Sequence, residues 1–268
     1  MTDKAQQAAR AADAHPAFRA MARGGYAASG LVHLLIGAIV LSVAVGRRGQ
    51  TDQAGAFKVI AGAPLGQVVL WVLAVLLATL GVYHAAQMFL VREESTAKTW
   101  AKRAAAAGHA VIFIGLGFLA GSVALGSRPA GDDSAESASR DVLTLPGGPV
   151  LLGLVGAGVV IGGIVFAGMG VTRKFLDKLT LGETGRVDKA VTVLGVIGYL
   201  AKGLALATVG VLLVIAAVNT DPNAAGGLGA AVRTLLDLPF GPALVTGVGV
   251  GFAAYGIFLF FRARFAKL

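Results

Sequence analysis

Six stretches of this chain are too long and too apolar to be left in water. A helix rises about 1.5 Å per residue and the hydrocarbon layer of a bilayer is about 30 Å thick, so roughly 20 mostly apolar residues can cross it. Residues 24–46, 65–91, 104–126, 148–171, 190–218 and 241–261 reach that length. The fifth exceeds it, which predicts a tilt, or first turns outside the hydrocarbon. The expected fold is an all-α membrane protein with six transmembrane helices, and 56% apolar against 14% charged residues suits it. Residues 1–22 are polar and Ala-rich, without the apolar core of a secretory signal, so the first span is expected to serve as an uncleaved targeting signal.

Charge gives the direction. Lys4, Arg10, Arg19, Arg23, Arg92, Lys98, Lys102, Arg103, Arg173, Lys174, Lys178, Arg186, Lys189, Arg262, Arg264 and Lys267 flank one side of the spans. Arg47, Arg48, Lys58, Arg128, Arg140 and Arg233 flank the other. Sixteen against six predicts that both termini lie in the cytoplasm, and in a cell without organelles the membrane is the plasma membrane. The acidic segment with Asp132, Asp133, Glu136 and Asp141 then faces out. A net charge of +9 on a soluble protein would raise nucleic-acid binding; here the basic residues mark span ends, and no nucleic-acid partner is expected.

The spans repeat in pairs. Gly37 and Gly46 recur as Gly117 and Gly126. Pro64-Leu65-Gly66 recurs as Pro146-Gly147-Gly148 and Pro239-Phe240-Gly241, always before an even-numbered span. Gly25-Tyr26 with Gly30 and Gly37 recurs as Gly198-Tyr199 with Gly203 and Gly210. The period is about 80 to 90 residues. After a cytoplasmic segment at 1–22, three copies of a two-helix hairpin are expected at 23–95, 101–175 and 190–265. Each copy holds two spans, so all enter with one orientation: parallel hairpin repeats with pseudo-threefold symmetry about the membrane normal. Each Pro is read as a helix start, since a missing N–H does no harm in a first turn. Short amphipathic turns at 56–61, 139–145 and 230–238 are expected to lie flat on the outer surface. Gly117/Gly121, Gly158/Gly162 and Gly247/Gly251 are small-xxx-small pairs expected to bring helices together within the chain.

On His15-Pro16, on residues 22–30 (Ala-Arg-Gly-Gly-Tyr-Ala-Ala-Ser-Gly), on Gly198-Tyr199-Leu200-Ala201-Lys202-Gly203 and on the repeated Pro-x-Gly starts, the chain resembles a bacterial, actinobacterial-type membrane family catalogued as domain of unknown function 1206. The likeness runs from about residue 15 to 265. It implies a pair of transmembrane helices occurring three times, and no established activity. Family members tend to carry a basic residue before the Gly; this chain has Ser29, His109 and Lys202 at the three places, which counts against a role needing all three bases.

An ionisable group inside hydrocarbon is costly, so each one raises a functional question. Tyr26, His33, Tyr83, His84, Gln87, His109, Tyr199, Lys202 and Tyr255 all fall in the half of the bilayer nearer the basic flanks. Tyr26, Gly30, His33 and Gly37 form one helical stripe, which Tyr199, Lys202, Gly203 and Gly210 repeat. If both stripes face the pseudo-axis, Tyr26, His33, Tyr83, His84, His109, Tyr199, Lys202 and Tyr255 line an inward-opening cavity, with Lys202 placed to bind an anion or phenolate. In the other reading Tyr and His belong to the interfacial belt and Lys202 snorkels to the headgroups.

Catalytic templates are lacking. The chain has no cysteine, H-E-x-x-H, Walker lysine or G-x-S-x-G, and the six spans as read carry no carboxylate. No enzyme activity, metal or cofactor is expected. The leading expectation is a non-enzymatic module that binds or passes a small or lipid-like ligand. A structural or accessory subunit for a membrane-protein partner is the alternative. A haem or quinone redox protein, with His33 and His84 as axial ligands of haem, is the third.

Overall fold

The computed structural model describes residues 16–47, 49–90, 95–129, 131–180 and 185–267. Lys4, Arg10, His15, Arg48 and Arg92 lie outside the described residues, as do the side chains of Lys98 and Arg186. The regular elements are helices: α1 (Pro16–Ala44), α2 (Gln53–Ala61), α3 (Gly66–Leu90), α4 (Thr96–Ala124), α5 (Gly131–Leu143), α6 (Gly148–Val171), α7 (Arg186–Asn219), α8 (Leu228–Leu236) and α9 (Gly241–Phe265), with 3₁₀ turns at Lys174–Lys178 and Pro222–Ala224. Six of them, α1, α3, α4, α6, α7 and α9, are long and apolar enough to cross a membrane. Each copy reads long, short, long. The protein is a multi-pass membrane protein built of three such copies.

The first helix of each copy starts earlier than its apolar stretch, at Pro16, Thr96 and Arg186. Hydrophobic length measures only the part that hydrocarbon can hold. The Ala-rich leads carrying Arg19, Arg23, Lys102 and Arg103 have good helix propensity and simply continue the rod outward. The same three helices end alike. Gly46, Gly126 and Thr220 are left-handed, and the next residue's N–H bonds a carbonyl five back: Arg47 to Ser42, Ser127 to Ser122 and Asp221 to Ala216, each 3.0 Å. This is the Schellman stop.

The prolines of the repeated tripeptide are not in first helical turns. Pro64, Pro146 and Pro239 sit one residue into a turn closed by Gly66 N–H to Ala63 O (2.9 Å), Gly148 N–H to Leu145 O (2.8 Å) and Gly241 N–H to Leu238 O (2.8 Å). The following residue, Leu65, Gly147 or Phe240, has φ of 59°, 75° or 62°. Pro, then a left-handed residue, then the bonded N–H is the pattern of a type II turn. The Gly after it is required by space, since a methyl group there would collide with the carbonyl of Ile60, Val142 or Leu236.

The short helices exceed the expected one or two turns, and α5 is the longest at 13 residues. Its first turn, Gly131-Asp132-Asp133-Ser134, has no apolar period to betray it. Charge favours the helix there: Asp132 and Asp133 lie in the first turn, where the helix dipole suits them, and Arg140 pairs with Glu136 at 2.7 Å. Carboxylates also join these helices. Asp52, buried, accepts from the Gly55 N–H at 2.8 Å and lies against Gly131 at the start of α5. Asp132 in turn accepts from the N–H groups of Gly227 (3.1 Å) and Ala230 (3.2 Å) at the start of α8, and pairs with Arg233 at 2.8 Å.

The described residues form two compact units, one of 16–29, 60–127 and 259–267, the other of 30–59 and 128–258. Within the first, α3 packs along α4. A methyl group on Gly81 would stand 2.8 Å from Ile114 N and 3.1 Å from Ala110 O, and one on Gly117 would stand 2.9 Å from Ala74 O and 3.0 Å from Ala78 N. Within the second, α6 packs along α7 in the same manner, Gly163 against Gly203 O (2.6 Å) and Ala207 N (2.7 Å), Gly210 against Gly156 O (2.8 Å) and Val160 N (2.6 Å). There too α9 meets α1, Gly256 against Gly30 O (2.7 Å) and Leu34 N (2.8 Å), Gly37 against Gly249 O (2.8 Å) and Ala253 N (2.7 Å). These are the same two contacts, at equivalent repeat positions, made three times. The close seams therefore join the second long helix of one copy to the first long helix of the next, and the last helix of the chain to the first.

This corrects the expected role of the small-xxx-small pairs. Methyl groups on Gly158, Gly162 or Gly247 would meet nothing within 4 Å, and one on Gly121 would only touch Trp71 at 3.8 Å. Of those six residues, Gly117 and Gly251 make close helix contacts, Gly251 against Ala201.

Candidate functional site

The polar residues of the spans gather in two clusters, one in each unit. In the unit of residues 30–59 and 128–258, Lys202 of α7 brings its Nζ to 3.2 Å from His33 Nε2 of α1. Lysine can only donate, so the imidazole accepts at Nε2. The same ammonium lies 4.6 Å from the centre of the Tyr255 ring and 5.4 Å from that of Phe166, within the range of cation–π attraction. His33 stacks on Phe252 (centroids 5.8 Å, 15°) and meets Tyr255 edge-on at 4.9 Å.

Tyr199, one turn from Lys202, is held between Phe166 (5.4 Å) and Phe175 (5.0 Å), nearly parallel to both, and edge-on to Tyr255 at 5.4 Å. Phe175 comes from the 3₁₀ turn Lys174–Lys178 and is only 2% exposed. Gly195 admits it, because a side chain there would occupy the space of the Phe175 ring. An aromatic wall thus runs from the basic-flank end of α6 and α7 inward to the Lys202–His33 pair.

In the other unit His84 of α3 is the centre. Its ring stacks on His109 of α4 (5.0 Å, 28°) and on Phe113 (5.5 Å, 8°), and meets Tyr83 at 5.6 Å and Tyr26 at 6.4 Å edge-on. His109 Nδ1 lies 2.6 Å from the Ala105 carbonyl, so that nitrogen carries the proton. The Arg262 guanidinium of α9 covers the Tyr26 ring at 4.6 Å, and its Nη2 reaches the hydroxyl at 3.5 Å.

All eight residues singled out in the sequence therefore lie in ring contacts, four in each unit: His33, Tyr199, Lys202 and Tyr255 in one, Tyr26, Tyr83, His84 and His109 in the other. Tyr26, His33, Tyr83, Tyr199 and Tyr255 are all buried, so they are not a belt facing lipid headgroups. The glycines of the two stripes do not line an opening either; Gly37, Gly203 and Gly210 lie backbone to backbone with the adjoining helix. The Nε2 that His33 would offer to haem iron is engaged by Lys202. Among the described residues no group of three or more His, Asp or Glu is placed to hold a metal.

Phe113, Phe166, Phe175, Phe252 and Phe258 complete the clusters and were missed in the sequence, where a Phe in an apolar span carries no signature. One signal was available. Phe166 stands 18 residues after Gly148, as His84 stands 18 after Gly66, and Lys202 holds the place of His109. The pairs His84–His109 and Phe166–Lys202 are thus the same pair of repeat positions at two seams.

A family model described as Domain of Unknown Function (DUF1206) matches the chain three times, at residues 24–89, 104–173 and 197–266. An uncharacterized protein, YxxB, of Bacillus subtilis (strain 168) is 23% identical over 259 residues, which cover 94% of this chain and 93% of that protein. No solved structure matches.

Proposed function

The chain belongs to the DUF1206 family, and on that footing we propose that it is a non-enzymatic module of the plasma membrane that binds or passes a small or lipid-like ligand at a polar site open to the cytoplasm. The observation that carries the reading is the Lys202–His33 hydrogen bond, set among the rings of Phe166, Tyr255 and Phe252 inside membrane-crossing helices. A lysine serving only to reach the headgroups would extend along lipid. This one turns toward a buried imidazole.

The excess of basic residues beside the ends of the spans supports a cytoplasmic location for both termini and for the half that holds the clusters. The absence of carboxylates from the spans as read in the sequence argues against a proton pump of the Asp/Glu type.

Native mass spectrometry of the full chain, released from gentle detergent, tests the reading. We expect a bound small molecule at one per chain, lost in Lys202→Met. A bare polypeptide mass under conditions that preserve other membrane protein–lipid complexes would contradict it.

A second reading, an accessory subunit of a larger membrane complex, draws on the open space at Gly158, Gly162 and Gly247, where a partner helix could approach closely. It predicts co-purification with another membrane protein, and a monodisperse monomer on gentle extraction counts against it.

A further inference from the structure

We propose that the turns entering α3, α6 and α9 are bilayer anchors: their exposed apolar side chains, Leu65, Leu145 and Phe240, are seated among lipid chains at the edge of the hydrocarbon opposite the basic flanks. This anchoring is independent of any ligand beside Lys202.

Each turn has the form x-Pro-y-Gly, and at least one of x and y is large, apolar and exposed. Ala63 and Leu65 hold the two places in the first copy, Leu145 and Gly147 in the second, Leu238 and Phe240 in the third. Leu145 and Leu238 are about half exposed, and Leu65 and Phe240 are 79% and 85% exposed. The second copy, which has Gly at y, keeps its Leu at x. A turn that faces water is ordinarily rich in Asn, Asp and Ser, whose side chains bond to the backbone. Residues 59–70, 142–153 and 238–249 carry no Asn or Ser and no charged residue at all.

Two of these side chains are kept at a cost. Leu65 and Phe240 sit in the left-handed region, at φ of 59° and 62°, where a residue with a side chain is strained and Gly is not. Gly147 shows that the turn closes without a side chain at that place. The protein covers little of either side chain, so packing within the chain does not explain the strain. Hydrocarbon does: moving a Leu or Phe side chain out of water gains at least as much as a left-handed residue loses.

Lipid is the occupant because the turns continue a surface that already meets it. The helices α3, α6 and α9 are long and apolar enough to cross the membrane, and their first two turns expose Val68 and Val72, Val150 and Leu154, and Leu244. No charged residue separates the turn from that surface in any copy. The turns therefore sit at the boundary of headgroups and acyl chains, the depth at which interfacial apolar side chains are buried.

The test is tryptophan fluorescence of the full chain in phosphatidylcholine vesicles, with Trp71→Phe and Trp100→Phe as the background. Leu65→Trp, Leu145→Trp and Phe240→Trp are each read beside Ser137→Trp, an exposed place on α5. The first three are expected to emit at short wavelength and to lose most of their emission to lipid brominated near the top of its acyl chains, and little to iodide. Ser137→Trp is expected to do the reverse.

Long-wavelength emission at the turns that iodide quenches as it does at Ser137→Trp places them in water and overturns the anchoring. Short-wavelength emission that neither reagent reaches means that protein covers the turns in place of lipid, and overturns it too. The chain has no cysteine, so a nitroxide on Leu65→Cys, Leu145→Cys or Phe240→Cys gives a second measurement should a Trp variant fail to fold. Collisions with oxygen that exceed those with a water-soluble nickel complex are expected, and the opposite order contradicts the anchoring.

Discussion

Lys202 and His33 are 169 residues apart in the chain and 3.2 Å apart in space. Their hydrogen bond ties α7 to α1 in the middle of apolar helices, where a lost partner leaves a polar group in surroundings that cannot hydrate it. A double-mutant cycle of Lys202→Met and His33→Leu should therefore show a coupling energy of about 1 to 3 kcal/mol in reversible unfolding. Additive effects of the two changes would mean that the pair does not stabilise the fold.

The glycine seams predict a contrast between positions that look alike in the sequence. Gly37→Ala, Gly117→Ala or Gly210→Ala places a methyl group 2.6 to 3.0 Å from a backbone amide nitrogen of the next helix, which has no rotamer with which to yield. Each should cost roughly 1 to 3 kcal/mol. Gly158→Ala and Gly162→Ala face open space and should leave the unfolding midpoint within about 0.5 kcal/mol of the parent. Thermal unfolding of the five variants in one detergent measures both halves of the contrast.

The type II turns predict opposite responses at equivalent sites. Leu65 and Phe240 are left-handed and 79% and 85% exposed, so each bears backbone strain with little burial to offset it. Gly147 holds the same place without strain. Gly147→Val should lose about 1 to 2 kcal/mol, while Leu65→Gly should lose nothing, in detergent unfolding.

Asp52 accepts the Gly55 N–H at 2.8 Å while buried, and lies against the start of α5. Asp52→Ala removes a helix cap and should cost roughly 0.5 to 2 kcal/mol. Hydrogen exchange should locate the loss in α2 and α5, with the amides of α3 and α4 unaffected.

The membrane-crossing helices were legible because their lengths answer a single number, the thickness of hydrocarbon, and the repeats because Pro-x-Gly and Gly37/Gly117/Gly210 recur in register. The pairing of helices was not. A spacing rule finds glycines four apart on one helix, and Gly158/Gly162 satisfies it while facing open space. The seams are instead made by one glycine on each of two helices far apart in sequence, such as Gly37 and Gly256, and no spacing within one helix records that. The start of α5 was hidden because its first turn carries Asp132 and Asp133 in place of an apolar period.

At the site, the polar residues stood out against an apolar background. Their aromatic neighbours did not, and the repeat alignment of Phe166 with His84 was the one clue to them. The expectation that Pro64, Pro146 and Pro239 occupy first helical turns failed because Pro serves two positions equally well, a first turn and the second residue of a type II turn. Only the left-handed residue that follows distinguishes them.

The most direct measurement of the central claim is an experimental density map of the full chain extracted with its native lipid. The account predicts a bound small or lipid-like molecule beside Lys202 Nζ and His33, against the rings of Phe166 and Tyr255. Side chains of His33, Tyr83 and Lys202 turned outward into lipid, with no molecule at that place, would contradict it.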